Sequence, residues 1–419
     1  MLRSICIARQ TRHLGVRHAA ARHASFPVTA LVAVAVAVAV AGMVGCSDTG
    51  DGSAATPADG ASSTSTSTTA PDILDGPAPE EPGRYGVGRV TLDLVDPARA
   101  GRTLTTDVWY PIAPSPNAEP SLYEFDASIP PIDLHVAKAG VPIADDGPFP
   151  LVVFSHGSPS IRYQSLFLTE LLASRGFVVA APDHAGDSAV DALRGTLASP
   201  DQSALNRPAD ISFVIGALLD GADGVTPELA RSIDPDRVGI AGHSGGGETV
   251  LAIAADRPGS PSDERVRAVL AWTPATDRLS DAELASVDVP TMLYGATLDD
   301  VAPIAPNVER AWGSVAGRPL YRVDVIGGGH DQFTNVCDFL AAADADPTFP
   351  PALRPVVDVP AQDACTPDFI PIDEAHDLIA RYSVAFLEAH VAGNSVSANW
   401  LTPRAAARTP AASFAVGDD

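Results

Sequence analysis

The chain has 419 residues, with 27 Lys and Arg against 52 Asp and Glu, and a formal net charge of −25. A field of that sign repels phosphate backbones, which argues against nucleic acid as a partner and against anionic polymers and lipid surfaces, and suits a small neutral or zwitterionic ligand. Of the ten histidines three (His13, His18, His23) lie near the amino terminus, and the rest show no ligand spacing of the H-E-x-x-H kind, so no metal and no cofactor is expected.

Residues 1–27 carry Arg3, Arg9, Arg12, Arg17 and Arg22 without an acid and precede an apolar stretch from Val28 to Val44, the pattern of an export signal. The apolar run is short for a spanning helix. It ends in Met43-Val44-Gly45-Cys46, a lipobox-like sequence that makes 1–45 a lipoprotein signal peptide and Cys46 the lipidated first residue of the mature chain, anchored on the outer face of the membrane. An uncleaved anchor or a plain secretory signal is the alternative. Removing the five arginines takes the net charge from −25 to −25 − 5 = −30. Residues 46–83, rich in Ser, Thr, Ala, Gly and Pro, cannot form a core and read as a tether. As a flexible coil it would hold a folded domain on the order of 30 Å from a membrane.

Residues 84–395 read as the catalytic domain and 396–419 as a C-terminal tail. Arg89–Leu94 and Thr103–Tyr110 alternate as an opening antiparallel pair closed by Pro111, and 121–147 is irregular, an insertion that could cover a site. Pro150–Phe154 is a buried-strand run ending in Ser155-His156-Gly157-Ser158. A helix is expected over Tyr163–Arg175, a strand over Phe177–Ala181, and a further helix from about Asn206 to Asp220 with Pro208 in its first turn.

The apolar run Val238–Ala241 leads into Gly242-His243-Ser244-Gly245-Gly246, and a helical stretch from Glu248 to Ala255 comes after it. A G-x-S-x-G between strand and helix holds serine on a strained turn that only small neighbours tolerate, with its hydroxyl lifted above the sheet edge, so Ser244 is the candidate nucleophile. Two more strands, Val266–Trp272 and Pro290–Gly295, come next. The second ends in Leu298-Asp299-Asp300, which places a carboxylate at the same sheet edge. Asp299 is the candidate acid, with Asp300 and, more remotely, Asp277 as substitutes. A last strand, Leu320–Ile326, runs into Gly327-Gly328-Gly329-His330, and His330 is the candidate base. The amides of Ser158 and Gly245 are the candidate oxyanion donors, each worth on the order of 3 kcal/mol of barrier lowering. His156 is assigned a structural task, fixing its loop by hydrogen bonding. Cys337 and Cys365 form an even pair in an exported chain and are expected to join in a disulfide contributing about 3–4 kcal/mol.

The segments Phe154–Gly157, Gly176–His184, Arg207–Ile211 and Gly242–Gly246 resemble those of platelet-activating-factor acetylhydrolase and dienelactone-hydrolase-like esterases. Val289–Pro303 and Gly328–His330 resemble bacterial cutinase-type polyester hydrolases. The resemblance runs over roughly Arg84–His390 and implies an α/β-hydrolase fold, a mostly parallel central sheet with helices on both faces, with a Ser244–His330–Asp299 triad and an acyl-enzyme. The polyester hydrolases usually carry a tryptophan where Ala275 stands and an aromatic residue where Ser158 stands, so short-acyl esters or acetylated and oxidised phospholipids are the expected substrates. Polyester or lipase-type hydrolysis comes second. A binding lipoprotein that has lost catalysis is the alternative of another class.

Overall fold

The computed structural model describes residues 77–125, 136–257 and 262–418. The leader, Cys46 and most of the tether lie outside them. One sheet of ten strands organises the chain: β1 Gly86–Asp96, β2 Arg102–Ile112, β3 Lys138–Ala139, β4 Phe149–Ser155, β5 Val178–Pro182, β6 Ile233–His243, β7 Val266–Trp272, β8 Thr291–Ala296, β9 Leu320–Val325 and β10 Ala412–Val416. Their order is β10-β9-β8-β7-β6-β4-β5-β2-β1-β3. The six strands from β9 to β5 are mutually parallel, while β1, β2 and β10 join antiparallel. This is the expected α/β-hydrolase arrangement.

The helices of eight or more residues are α1 Leu166–Ser174, α2 Pro200–Asp220, α3 Gly245–Ala254, α4 Val336–Ala345, α5 Arg354–Ala361 and α6 Ile372–His390. Strand side chains alternate between faces, and a sheet covered on both sides must be apolar at both parities. In β4, Leu151 and Val153 pack with α2 and α3, whereas Val152 and Phe154 pack with α1 and α6. All seven β4 residues are buried, which is why its sequence reads as an unbroken apolar run. Gly239 in β6 lets α6 approach, since a Cβ there would stand 2.7 Å from a Val391 methyl.

Several boundaries differ from expectation. Helix α2 begins at Pro200, capped by the Ser199 side chain, so Pro208 lies inside it rather than in its first turn. The cap and the proline at the first helical position set the start. Pro208 is tolerated although it leaves the Ala204 carbonyl without the donor four residues on. Strand β2 runs through Pro111 to Ile112, because Pro111 lies beyond the Thr106–Trp109 stretch that pairs with β5, and on that side its carbonyl accepts from the Ala144 amide at 2.9 Å. Residues 412–416, read as part of a tail, complete the sheet against β9. The last tether residues also pack on the domain: Gly83 N donates to Ser174 Oγ at 2.9 Å, and Arg381 pairs with Glu80. From the irregular 121–147 stretch, Tyr123 is buried and bonds Trp109 and Glu170, at 2.9 and 2.7 Å.

Candidate active site

The turn after β6 is built as the glycine spacing demands. Ser244 sits at φ 56° and ψ −118°, a region that costs a non-glycine residue about 1–3 kcal/mol. Close packing on all sides holds it there. A Cβ on Gly242 would meet Gly246 O at 2.3 Å, and one on Gly246 would meet Ser155 O at 1.9 Å. The Ser244 amide donates to Trp272 O of β7 at 3.0 Å. Gly246→Ala must push the turn away from β4 and is expected to cost about 2–4 kcal/mol, read as a lowered urea midpoint. A wild-type midpoint would mean that β4 and the turn are less tightly apposed than this.

His330 follows β9 on a short 3-10 turn, and its Nδ1 lies 2.7 Å from Asp299 Oδ2. The other Asp299 oxygen accepts from the Val301 and Ala302 amides at 2.8 and 2.7 Å, so the carboxylate is fully engaged. Asp299 and His330 are both buried, whereas Asp300 is exposed. Asp277 is exposed too and stands beside Arg278. Burial disfavours the charged imidazolium of His330, but the hydrogen bond and charge of Asp299, with Asp331 and Asp363 nearby, outweigh it and raise its pKa above the ordinary value. A base must be unprotonated, so falling pH removes it. The acid limb of kcat/KM is therefore expected above the usual imidazole midpoint, and a pH–rate profile with its midpoint below 6.5 would contradict this.

Side chains that carry no motif of their own bind these loops together. His243, the variable residue of the glycine turn, donates from Nε2 to His330 O at 3.0 Å and accepts at Nδ1 from Gln164 Nε2 at 3.1 Å. Gln164 in turn accepts from the Gly157 amide at 2.7 Å. Three loops thus share one buried relay, and burial together with the neighbouring His330 keeps His243 neutral. The Ser158 amide nitrogen lies 3.6 Å from where a Cβ on Gly245 would stand, so the loop after β4 and the turn after β6 are closely apposed at the two candidate oxyanion donors. Ser158 Oγ donates to Asp187 at 2.7 Å, Asp187 accepts from Arg207 at 2.9 Å, and Arg207 also holds the His156 carbonyl. His156 has the structural task expected of it, with Nδ1 at 2.6 Å from Gly157 O and Nε2 accepting from the His184 amide at 3.1 Å. No sequence pattern points to Gln164 or Asp187, and Arg207 is marked only as the first residue of the acetylhydrolase-like segment Arg207–Ile211.

Ser244 and His330 open onto a cavity of about 300 Å³. Its near wall is Gly157–Ile161 and Tyr163, and its far wall comes from Phe339 of α4, Val357 and Pro360 of α5, and Leu353 just before α5. This helical cap is bracketed by the Cys337–Cys365 disulfide, whose Cα atoms stand 5.6 Å apart. No tryptophan stands at the clamp position: Ala275 is there, its amide 3.3 Å from Ser244 O. Aromatic surface comes instead from Phe125, Tyr163, Phe339 and Phe349.

Residues 142–341 match the PETase family, described as PET hydrolase-like. The chain has the α/β-hydrolase fold and is similar in sequence to cutinases. It is 29% identical over 164 residues to cutinase est1 of Thermobifida alba, an alignment covering 39% of this chain and 47% of that protein. It is likewise 29% identical to a bis(hydroxyethyl) terephthalate hydrolase of Streptomyces coelicolor, over 39% of this chain and 44% of the relative. The chain thus spans about half the length of these relatives. A ferulic acid esterase from Streptomyces cinnamoneus superposes with a TM-score of 0.59 at 26% identity, covering 81% of this chain and 98% of that one.

Proposed function

We propose that this protein is an exported serine carboxylic-ester hydrolase. Ser244 Oγ attacks the ester carbonyl while His330 Nε2 takes its proton; the Ser158 and Gly245 amides receive the oxyanion. His330 then protonates the leaving alcohol, and water cleaves the acyl-enzyme by the same route. Asp299 fixes the His330 tautomer and stabilises the imidazolium. The observation that carries this reading is the convergence of Ser244 and His330 on one apolar cavity, with His330 held by Asp299 at 2.7 Å. The cutinase, terephthalate-ester hydrolase and ferulic acid esterase relatives support the same reaction type.

A capped cavity of about 300 Å³ suits a compact ester, with a short acyl chain or a single aromatic ring, better than a long chain. Acetylated or oxidised phospholipids fit the short-acyl side of this reading. Polyester fragments are a second reading, favoured by the PET hydrolase-like match and by the aromatic rings lining the cavity. The leader and Cys46 would place the enzyme on the outer face of the membrane through its lipid. Hydrolysis of p-nitrophenyl esters from acetate to palmitate tests the reading: activity is expected to peak at short chains and fall steeply beyond them. A folded protein that cleaves none of them and resists fluorophosphonate labelling is a ligand-binding lipoprotein instead.

A further inference from the structure

Asp331, the residue after His330, lines the same cavity. The neighbouring carboxylates are used: Asp299 holds His330 and two amides, and Asp363 Oδ2 accepts from the His330 amide at 2.8 Å. The Asp331 carboxylate makes no hydrogen bond or ion pair among the described residues, and no lysine or arginine among them lines the cavity. The rings of Phe125, Tyr163, Phe339 and Phe349 line the same cavity. A carboxylate facing a low-dielectric cavity attracts a cation and repels an anion far more than it would in water, and aromatic faces add attraction for an ammonium group.

Resting on the esterase reading above, we infer that Asp331 is a specificity-determining residue, and that the site prefers esters bearing an ammonium group near the carbonyl and rejects those bearing a carboxylate. Burial raises the Asp331 carboxyl to about 6, so it is charged at pH 8. A bis-ester with one end hydrolysed to a free acid would then be a poor second substrate.

The test compares three acetate esters of similar size at pH 8: acetylcholine, its neutral isostere 3,3-dimethylbutyl acetate, and the acetate of 4-hydroxybutyrate. Wild-type kcat/KM is expected to favour the cation over the neutral ester by about tenfold, and the neutral over the anion by a similar factor. In Asp331→Asn both ratios are expected to fall to within about twofold, whatever happens to the absolute rates. Ratios are read within each variant, so an altered His330 cancels. Repeating the series in high salt separates Asp331 from the overall negative charge, because the bulk field is screened and a cavity carboxylate is not. Wild-type ratios near one, or ratios that persist in Asp331→Asn and vanish in salt, overturn the assignment to Asp331. Failure to cleave even the neutral ester strikes the esterase reading instead.

Discussion

Ser244→Ala is expected to lower kcat/KM on every hydrolysed ester by a factor on the order of 10⁴–10⁶, because no other group can form the acyl-enzyme and the remaining machinery acts only in concert with it. Stability should stay near wild type. The Ser244 side chain makes no capping hydrogen bond to α3, and alanine keeps the same Cβ on the same positive-φ backbone, so neither a bond nor a conformation is lost. The comparison is of rate and thermal midpoint together, with a fluorophosphonate probe as a second readout. Retention of more than about a hundredth of the rate by a labelled, folded Ser244→Ala protein would remove Ser244 from the nucleophile role.

Asp299→Asn is expected to cost nearly as much, on the order of 10³–10⁴. Oδ1 accepts from the Val301 and Ala302 amides, so an asparagine must keep its oxygen there and turn its NH₂ toward His330. The His330 Nδ1 atom must then accept rather than donate, its proton moves to Nε2, and the ring can no longer take a proton from Ser244. Asp300→Asn, at an exposed position, should change kcat/KM by less than about twofold. Equal losses in the two variants would mean that the acid is not Asp299.

Much of the site is legible in the sequence because its demands are local. Gly242, Ser244, Gly245 and Gly246 are spaced by what one strained turn can accommodate. Asp299 and His330 each follow an apolar strand, and parallel strands deliver their ends to one edge. The α2 start is misplaced by sequence because Pro208 is as good a first-turn residue as Pro200, and the decisive cap, Ser199, lies in a polar stretch with no apolar period to mark it. Strand β10 escapes notice for a similar reason: it is a half-exposed edge strand, without the unbroken apolar run that betrays β4.

By itself, then, the sequence determined the fold class, the turn that presents Ser244, and the strand ends that carry Asp299 and His330, since each rests on backbone conformation or on apolar periodicity within a few residues. The tertiary structure decided whatever depends on groups far apart in the chain. Asp299 rather than Asp300 meets His330, 31 residues away, because only one of two adjacent side chains can turn inward. Gln164 reaches His243 across 79 residues, and Arg207 reaches the His156 carbonyl across 51. Residues 336–361 become the wall over Ser244 only once the disulfide and the sheet have set them there. Burial creates these partnerships by removing water as the competing hydrogen-bond partner, and which groups are buried together is a property of the assembled sheet.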